Sequence, residues 1–131
     1  MEKEFLIDTN IVIYYTNGTI PENHYEKVSE LFVSSFNIST ITKIEVLGWR
    51  KLEGIEKEKL EHFVSNANVF YINQEIEQKT IEIKQIHNIA TPDAIIGATA
   101  LVYEMILVTR NEGDFKKIEG LEIYNPYKKE E

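Results

Sequence analysis

The chain has 131 residues, a formal net charge of −8 and no cysteine, and 43% of its residues are hydrophobic. A chain of this length and apolar content fits a single domain, residues 1–131, that folds without disulfides. The lack of cysteine excludes zinc sites built on thiolates and also thiol nucleophiles. The acidic balance argues against a passive nucleic-acid clamp, but it is compatible with a carboxylate cluster that recruits divalent cations.

The first ten residues combine charges with a short apolar stretch. This pattern is typical of neither a signal peptide nor a membrane span. We therefore expect a cytoplasmic protein with no membrane partner.

Short apolar runs alternate with helical patterns along the rest of the chain. The runs predict strands over residues 5–7, 36–39, 69–72, 106–108 and 121–124. The helical patterns predict helices over residues 11–15, 22–33, 40–52, 57–64, 74–86 and 91–103. Alternation of this kind indicates an α/β fold, in which helices cover both faces of a central parallel sheet. The functional crevice of such a sheet lies beyond the carboxyl ends of its strands.

Two of these helices carry local signals. In the helix over 40–52, Ile41, Ile44 and Gly48 are spaced to lie along one side. The last helix opens on Thr91 and Pro92, which predicts Thr91 as the N-cap and proline in the first helical position. This helix is almost uncharged, so we expect it to be central.

Two aspartates are isolated from other charges. Asp8 ends the first predicted strand, and no charged residue follows it until Glu22. Asp93 is the only charged residue between His87 and Glu104. A lone carboxylate in apolar surroundings is costly to bury, so it needs a compensating partner.

Two further acids lie beside apolar residues, and Asp114, like Asp8, is expected at the carboxyl end of a strand, where the fold would place a site. Glu45 lies one helical turn from Ile41 and one turn from Trp49, and Asp114 follows the strand over 106–108 after a short polar turn. A shared metal ion would compensate all of these carboxylates at once.

Each acid also has a purely structural explanation. Asp8 would cap the helix that follows it, and Asp93 would favour the dipole of a helix first turn. Glu45 would extend to solvent from the edge of its helix, and Asp114 would belong to an ordinary turn after Gly113. Four such coincidences are less frequent than one, so the metal hypothesis is favoured.

Four motifs resemble the PIN domain family, and within it the VapC-type toxins of toxin-antitoxin pairs. They are LIDTN at 6–10, TITKIEVLGW at 40–49, TPDAIIGATAL at 91–101 and LVTRNEGDF at 107–115. They occur in the family's order and spacing and extend over nearly the whole chain. The resemblance implies a three-layer α/β/α sandwich and an endoribonuclease that depends on Mg²⁺ or Mn²⁺.

The resemblance also assigns roles to residues. It implies that the catalytic, metal-binding carboxylates are Asp8, Glu45, Asp93 and Asp114. The accessory polar positions that help to shape the pocket are Thr9, Asn10, Thr109 and Asn111. The chain departs from the family at Asn111, where many relatives carry aspartate, so Asp114 is the less certain fourth carboxylate and the number of metals stays open.

Several partners follow from the same interpretation. RNA is the expected substrate, and its phosphates would contact cations at the rim, namely Lys43, Arg110, Lys116 and Lys117. Toxin-antitoxin membership implies a small antitoxin protein that blocks the site, and a homodimer.

Two other functions share features with this sequence. A receiver domain also gathers acids at strand ends, but it requires adjacent acids after the first strand and a mid-chain phosphoacceptor aspartate. No aspartate lies between Asp8 and Asp93, so this alternative fits poorly. A catalytically weak PIN-like interaction module is the second alternative, supported by the acidic charge and by Asn111.

Overall fold

The computed structural model describes residues 3–128. Its centre is made of five short parallel strands: β1 (Phe5–Ile7), β2 (Asn37–Ser39), β3 (Asn68–Phe70), β4 (Ile106–Val108) and β5 (Ile123–Tyr124). One ladder runs in the order β1-β4-β5, and β2 pairs with β3. The Asn37 side chain donates a hydrogen bond to the Phe5 carbonyl at 2.9 Å, which places β2 beside β1. The spatial order across the fold is therefore β3-β2-β1-β4-β5.

In the described part of the chain, six α-helices surround the strands: α1 (Thr9–Thr16), α2 (Glu22–Ser34), α3 (Thr40–Leu47), α4 (Gly54–Ser65), α5 (Gln74–Ile86) and α6 (Thr91–Val102). A 3₁₀ turn covers Phe115–Lys117. The longest helices, α2 and α5, have 13 residues each. Within residues 3–128, no helix has the length and apolar run that crossing a bilayer requires.

The strand register explains why two apolar cores form. Leu6 pairs with Leu107, and Ile7 pairs with Val108. Because successive strand residues point to opposite faces, each pair serves a different core. Leu6 and Leu107 pack with residues of α5 and α6, whereas Ile7 and Val108 pack with residues of the first four helices. The predicted sandwich, with a parallel sheet between two helical layers, is confirmed.

Every predicted element is present, but several ends differ. Thr9 already belongs to α1, because the Asp8 side chain accepts its backbone N–H and caps the helix there. Gly48 is the C-cap of α3, so this helix stops at Leu47 instead of 52. β3 stops at Phe70 because its partner Ser39 is the last residue of β2.

One local prediction on the helices was wrong. Ala90 is the N-cap of α6, and Thr91 is its first helical residue. On α3, Ile44 is 59% exposed, and the buried residues are Thr42 and Val46. Thr42 faces inward because its hydroxyl finds partners in neighbouring elements, as described below.

Candidate active site

Asp8 lies at the carboxyl end of β1 and is held on both sides. Its Oδ1 accepts the backbone N–H of Thr9 at 2.8 Å, and its Oδ2 accepts the Thr109 hydroxyl at 2.8 Å. Thr109 is fully buried just after β4, the strand that pairs with β1. Asp8 is itself only 5% exposed. It therefore caps α1, as the structural explanation predicts, and at the same time presents an immobilised carboxylate at the sheet edge.

The environment of Asp8 disfavours its charge. Burial raises the pKa of Asp8 from 3.8 to about 6, against the hydrogen bonds from Thr109 and Thr9, which lower it. The negative charges of Asp93 and Glu45 raise this pKa further. A cation at this position would relieve both the burial cost and the repulsion between carboxylates.

Asp93 occupies the first turn of α6 and is partly buried. Burial raises its pKa, and the charges of Glu45 and Asp114 add to that effect. The four predicted carboxylates thus lie close enough for their charges to interact. Asp8 interacts with Asp93 and Glu45, and Asp93 interacts with Glu45 and Asp114.

Glu45 lies on the exposed side of α3, but its carboxylate is not free in solvent. Its Oε1 is 2.6 Å from the hydroxyl oxygen of Thr9. The predicted accessory residue Thr9 is thereby linked to two of the predicted carboxylates. Asn10, the next residue, is exposed on the first turn of α1.

Asp114 is partly exposed and pairs with a lysine. It lies at the N-cap of the 3₁₀ turn, beyond the end of β4, and pairs with Lys117 at 3.1 Å. Its side chain is 43% exposed. Asn111 is also exposed, and its backbone N–H donates to the Thr109 hydroxyl at 3.1 Å. Asn111 thus supports Thr109 through its main chain, whereas Asp114 is largely compensated by its own lysine.

The four predicted phosphate-binding cations have partners within the chain. Lys116 and Lys117 pair with Glu112 and Asp114. Lys43 instead contacts an aromatic side chain, donating to the Tyr71 hydroxyl at 3.2 Å. The Arg110 guanidinium lies 4.7 Å from the centre of the Tyr127 ring and 5.8 Å from that of Tyr14. Carboxylates neutralise the charge of Lys116 and Lys117 more than aromatic rings neutralise that of Lys43 and Arg110. Lys43 and Arg110 are therefore the better candidates for binding an external anion.

The donor chemistry of the site fits a hard divalent ion. The candidate ligands are all carboxylate oxygens, which Mg²⁺ and Mn²⁺ prefer. Among residues 3–128, no three histidine, aspartate or glutamate side chains are grouped closely enough to hold a metal ion as they stand. The fit therefore rests on the type of donor and on the raised pKa values of Asp8 and Asp93.

The structure adds two features that the sequence did not reveal. Thr42 and Ser39 place buried hydroxyls behind Glu45; a serine followed three residues later by threonine at a strand end was the available signal. In addition, α1, α3 and α4 enclose a groove of about 800 Å³ that is mainly apolar and reaches Glu45. Trp49, 63% exposed, lies on its wall.

Known proteins resemble this arrangement over nearly its full length. Residues 5–121 match the PIN domain family. A toxin-antitoxin complex from Klebsiella pneumoniae contains a chain with 31% identity and a TM-score of 0.76, aligned over 95% of this chain and 98% of that one. VapBC-1 from nontypeable Haemophilus influenzae is similar at 28% identity and a TM-score of 0.76, over 95% and 98% of the two chains.

DNA-bound VapBC from Salmonella typhimurium gives 25% identity and a TM-score of 0.77, over 95% of this chain and 99% of that one. No curated protein sequence matches the chain. PIN domains are generally nucleases. The match over residues 5–121, together with these structural relatives, establishes that the chain belongs to the PIN domain family.

Proposed function

We propose that this protein is a metal-dependent endoribonuclease that hydrolyses RNA phosphodiester bonds and acts as the toxin of a type II toxin-antitoxin pair. One observation carries the catalytic part of the proposal: the buried carboxyl group of Asp8, whose pKa is raised to about 6, lies near Asp93 and Glu45 at the end of β1. Carboxyl groups with perturbed pKa values that gather at a strand end are candidates for chemistry.

The residues divide the work as follows. Asp8 and Asp93 would hold Mg²⁺ or Mn²⁺, with Glu45 and Asp114 completing the set or orienting water. When bound, the ion supplies positive charge against the reacting phosphoryl group and makes water more acidic. Thr109 and the Thr9 backbone N–H keep the Asp8 carboxylate in one orientation. Lys43 and Arg110 would contact RNA phosphates from the rim.

Metal removal tests this assignment. We expect the purified protein to cleave a fluorescent RNA oligonucleotide in Mg²⁺ or Mn²⁺. Cleavage should stop in EDTA and resume when Mg²⁺ is added in excess, because the metal ion supplies the positive charge that the reacting phosphate requires. A DNA oligonucleotide of the same sequence serves as the matched substrate. Cleavage that persists in EDTA would contradict the metal dependence, and equal cleavage of DNA would contradict the assignment to RNA.

The variant Asp114→Asn tests the fourth carboxylate. We expect it to lower the cleavage rate by about tenfold or less, because Asp114 is 43% exposed and paired with Lys117. The measurement is the single-turnover cleavage rate at saturating Mg²⁺. A loss as large as that for a variant of Asp93 would instead make Asp114 a full member of the metal site.

The antitoxin partner is proposed from the relatives and from the groove. The solved relatives are toxin-antitoxin and VapBC complexes. The groove between α1, α3 and α4 reaches Glu45, so a chain segment lying in it would contact that carboxylate. The homodimer that the sequence resemblance implies stays a prediction.

A catalytically weak interaction module is the second candidate, and Asn111 favours it because this position contributes no charge. Calorimetric titration with Mn²⁺ separates the two candidates. Heat of binding that disappears in Asp8→Asn supports the nuclease, whereas no binding by the wild type supports the module.

A further inference from the structure

Three hydroxyl groups form a row that ends on the Glu45 carboxylate. The Ser39 and Thr42 hydroxyl oxygens are 3.4 Å apart, those of Thr42 and Thr9 are 3.0 Å apart, and the Thr9 oxygen is 2.6 Å from Glu45 Oε1. The three hydroxyl-bearing residues are 1%, 0% and 8% exposed, in that order. They come from the end of β2, from α3 and from α1, so the row ties separate elements together.

Proton counting decides which acceptor the Thr9 hydroxyl serves. A hydroxyl group has one proton to donate, and a carboxylate only accepts. The Thr9 hydroxyl has two acceptors within reach, Glu45 Oε1 at 2.6 Å and the Thr42 hydroxyl oxygen at 3.0 Å. The shorter contact, to a charged acceptor, takes the Thr9 proton to Glu45, while the Ser39 hydroxyl donates to Thr42.

The row opposes an electrostatic force that would move Glu45 away. Asp8 and Glu45 both accept hydrogen bonds from Thr9, so two negatively charged carboxylates lie close together and repel one another. Glu45 lies on the exposed side of α3, so rotation of its side chain into solvent would relieve that repulsion. A short hydrogen bond from a buried donor keeps it beside Asp8.

Thr9 acts on two carboxylates through different atoms. Its backbone N–H donates to Asp8 Oδ1 at 2.8 Å, while its hydroxyl donates to Glu45. We propose that Thr9 is the positioning residue that sets the spacing between Asp8 and Glu45, with the buried Thr42 and Ser39 hydroxyls lying beside its own. This inference rests on the proposed function only where it concerns cleavage. The hydrogen bond by which Thr9 holds Glu45 is a property of the metal-free protein.

The first test is structural and needs no metal. Thr9→Val has the same shape as threonine but no hydroxyl, and it leaves the backbone N–H to Asp8 intact. In crystal structures of the metal-free protein, we expect the Glu45 carboxylate to turn into solvent in Thr9→Val and to stay in place in Thr9→Ser. Asp8 should not move in either variant. A Glu45 carboxylate that keeps its position in Thr9→Val would overturn the proposal.

The second test measures metal binding and catalysis. We expect Thr9→Val to weaken Mn²⁺ binding by about tenfold, as is usual when a group that orients a metal ligand is lost. The value of kcat should fall while KM for RNA stays within about threefold, and Thr9→Ser should recover most of both losses. Thr42→Val should have a smaller effect, because Thr9 keeps its own proton for Glu45.

Thr80→Val is the matched control. Thr80 is buried to the same extent as Thr9, at 8% exposure, but its hydroxyl donates to the Ile76 carbonyl within α5. If the wild type binds Mn²⁺ and cleaves RNA, and Thr9→Val keeps the same Mn²⁺ affinity and kcat, then the positioning role of Thr9 is wrong. The proposed function would not be affected by that result. A wild type that neither binds Mn²⁺ nor cleaves RNA would contradict the proposed function. The crystal structures would still show whether Thr9 holds the Glu45 carboxylate in place.

Discussion

Asp8→Asn is expected to lower the rate of RNA cleavage by about 10³-fold at saturating Mg²⁺. The substitution keeps the shape of the side chain and removes the charge of the most deeply buried carboxylate in the candidate site. Neither Thr109 nor Thr9 can replace that charge, since both only donate hydrogen bonds to Asp8. The single-turnover rate on a fluorescent RNA oligonucleotide is the appropriate measurement, because it excludes product release.

Glu82→Gln is the matched control for this experiment. It also replaces a carboxylate with an amide of the same shape, but Glu82 lies on α5 and pairs with Lys79 at the surface. We expect its cleavage rate to match that of the wild type. If Asp8→Asn keeps more than about a tenth of the wild-type rate, the proposed role of Asp8 in transition-state stabilisation is wrong.

The same substitution is expected to stabilise the protein when no metal is bound. Burial raises the pKa of Asp8 from 3.8 to about 6, so the folded state binds this proton more tightly than the unfolded state does. The stabilisation from the protonated carboxyl is complete below pH 3.8 and is lost as the pH rises through about 6. Above that pH, Asp8→Asn should exceed the wild type in free energy of unfolding by on the order of 2–3 kcal/mol.

The hydrogen bonds around position 8 can rearrange to accommodate an asparagine, so the gain in stability is expected to be observable. An asparagine amide at position 8 would donate to the Thr109 oxygen, and the Thr109 proton would turn to the Asn111 carbonyl, 3.3 Å away. The Thr9 N–H would still find the remaining carbonyl oxygen of the side chain. The isosteric change therefore keeps acceptors for Thr109 and Thr9 and gives one for the first of the two amide protons.

Urea unfolding in EDTA between pH 4 and pH 8 measures the effect. Asp93, whose pKa is also raised, is present in both proteins, so the difference between the two curves reports Asp8 together with its electrostatic interaction with Asp93. The difference should be small at pH 4 and should reach its full size above pH 6. A variant that is less stable than the wild type at neutral pH would show that Asp8 serves folding and not function.

Much of the fold was predictable because its signals are local. The apolar runs at β1 and β4 and the amphipathic pattern of α5 gave the observed bounds: Phe5–Ile7, Ile106–Val108 and Gln74–Ile86. The ends of β3 and α3 were less predictable. β3 stops where its neighbour β2 stops, and the inward face of α3 depends on partners for the Thr42 hydroxyl.

The candidate site divides in the same way. The isolation of Asp8 and Asp93 from other charges is a property of the sequence by itself, and so are the four motifs that resemble PIN domains. Only the tertiary structure decided how the acids are held. Thr109 reaches Asp8 across 101 residues of chain, and Thr9 reaches Glu45 across 36. Hydrogen bonds at such separations depend on strand order and helix packing, which no local pattern encodes.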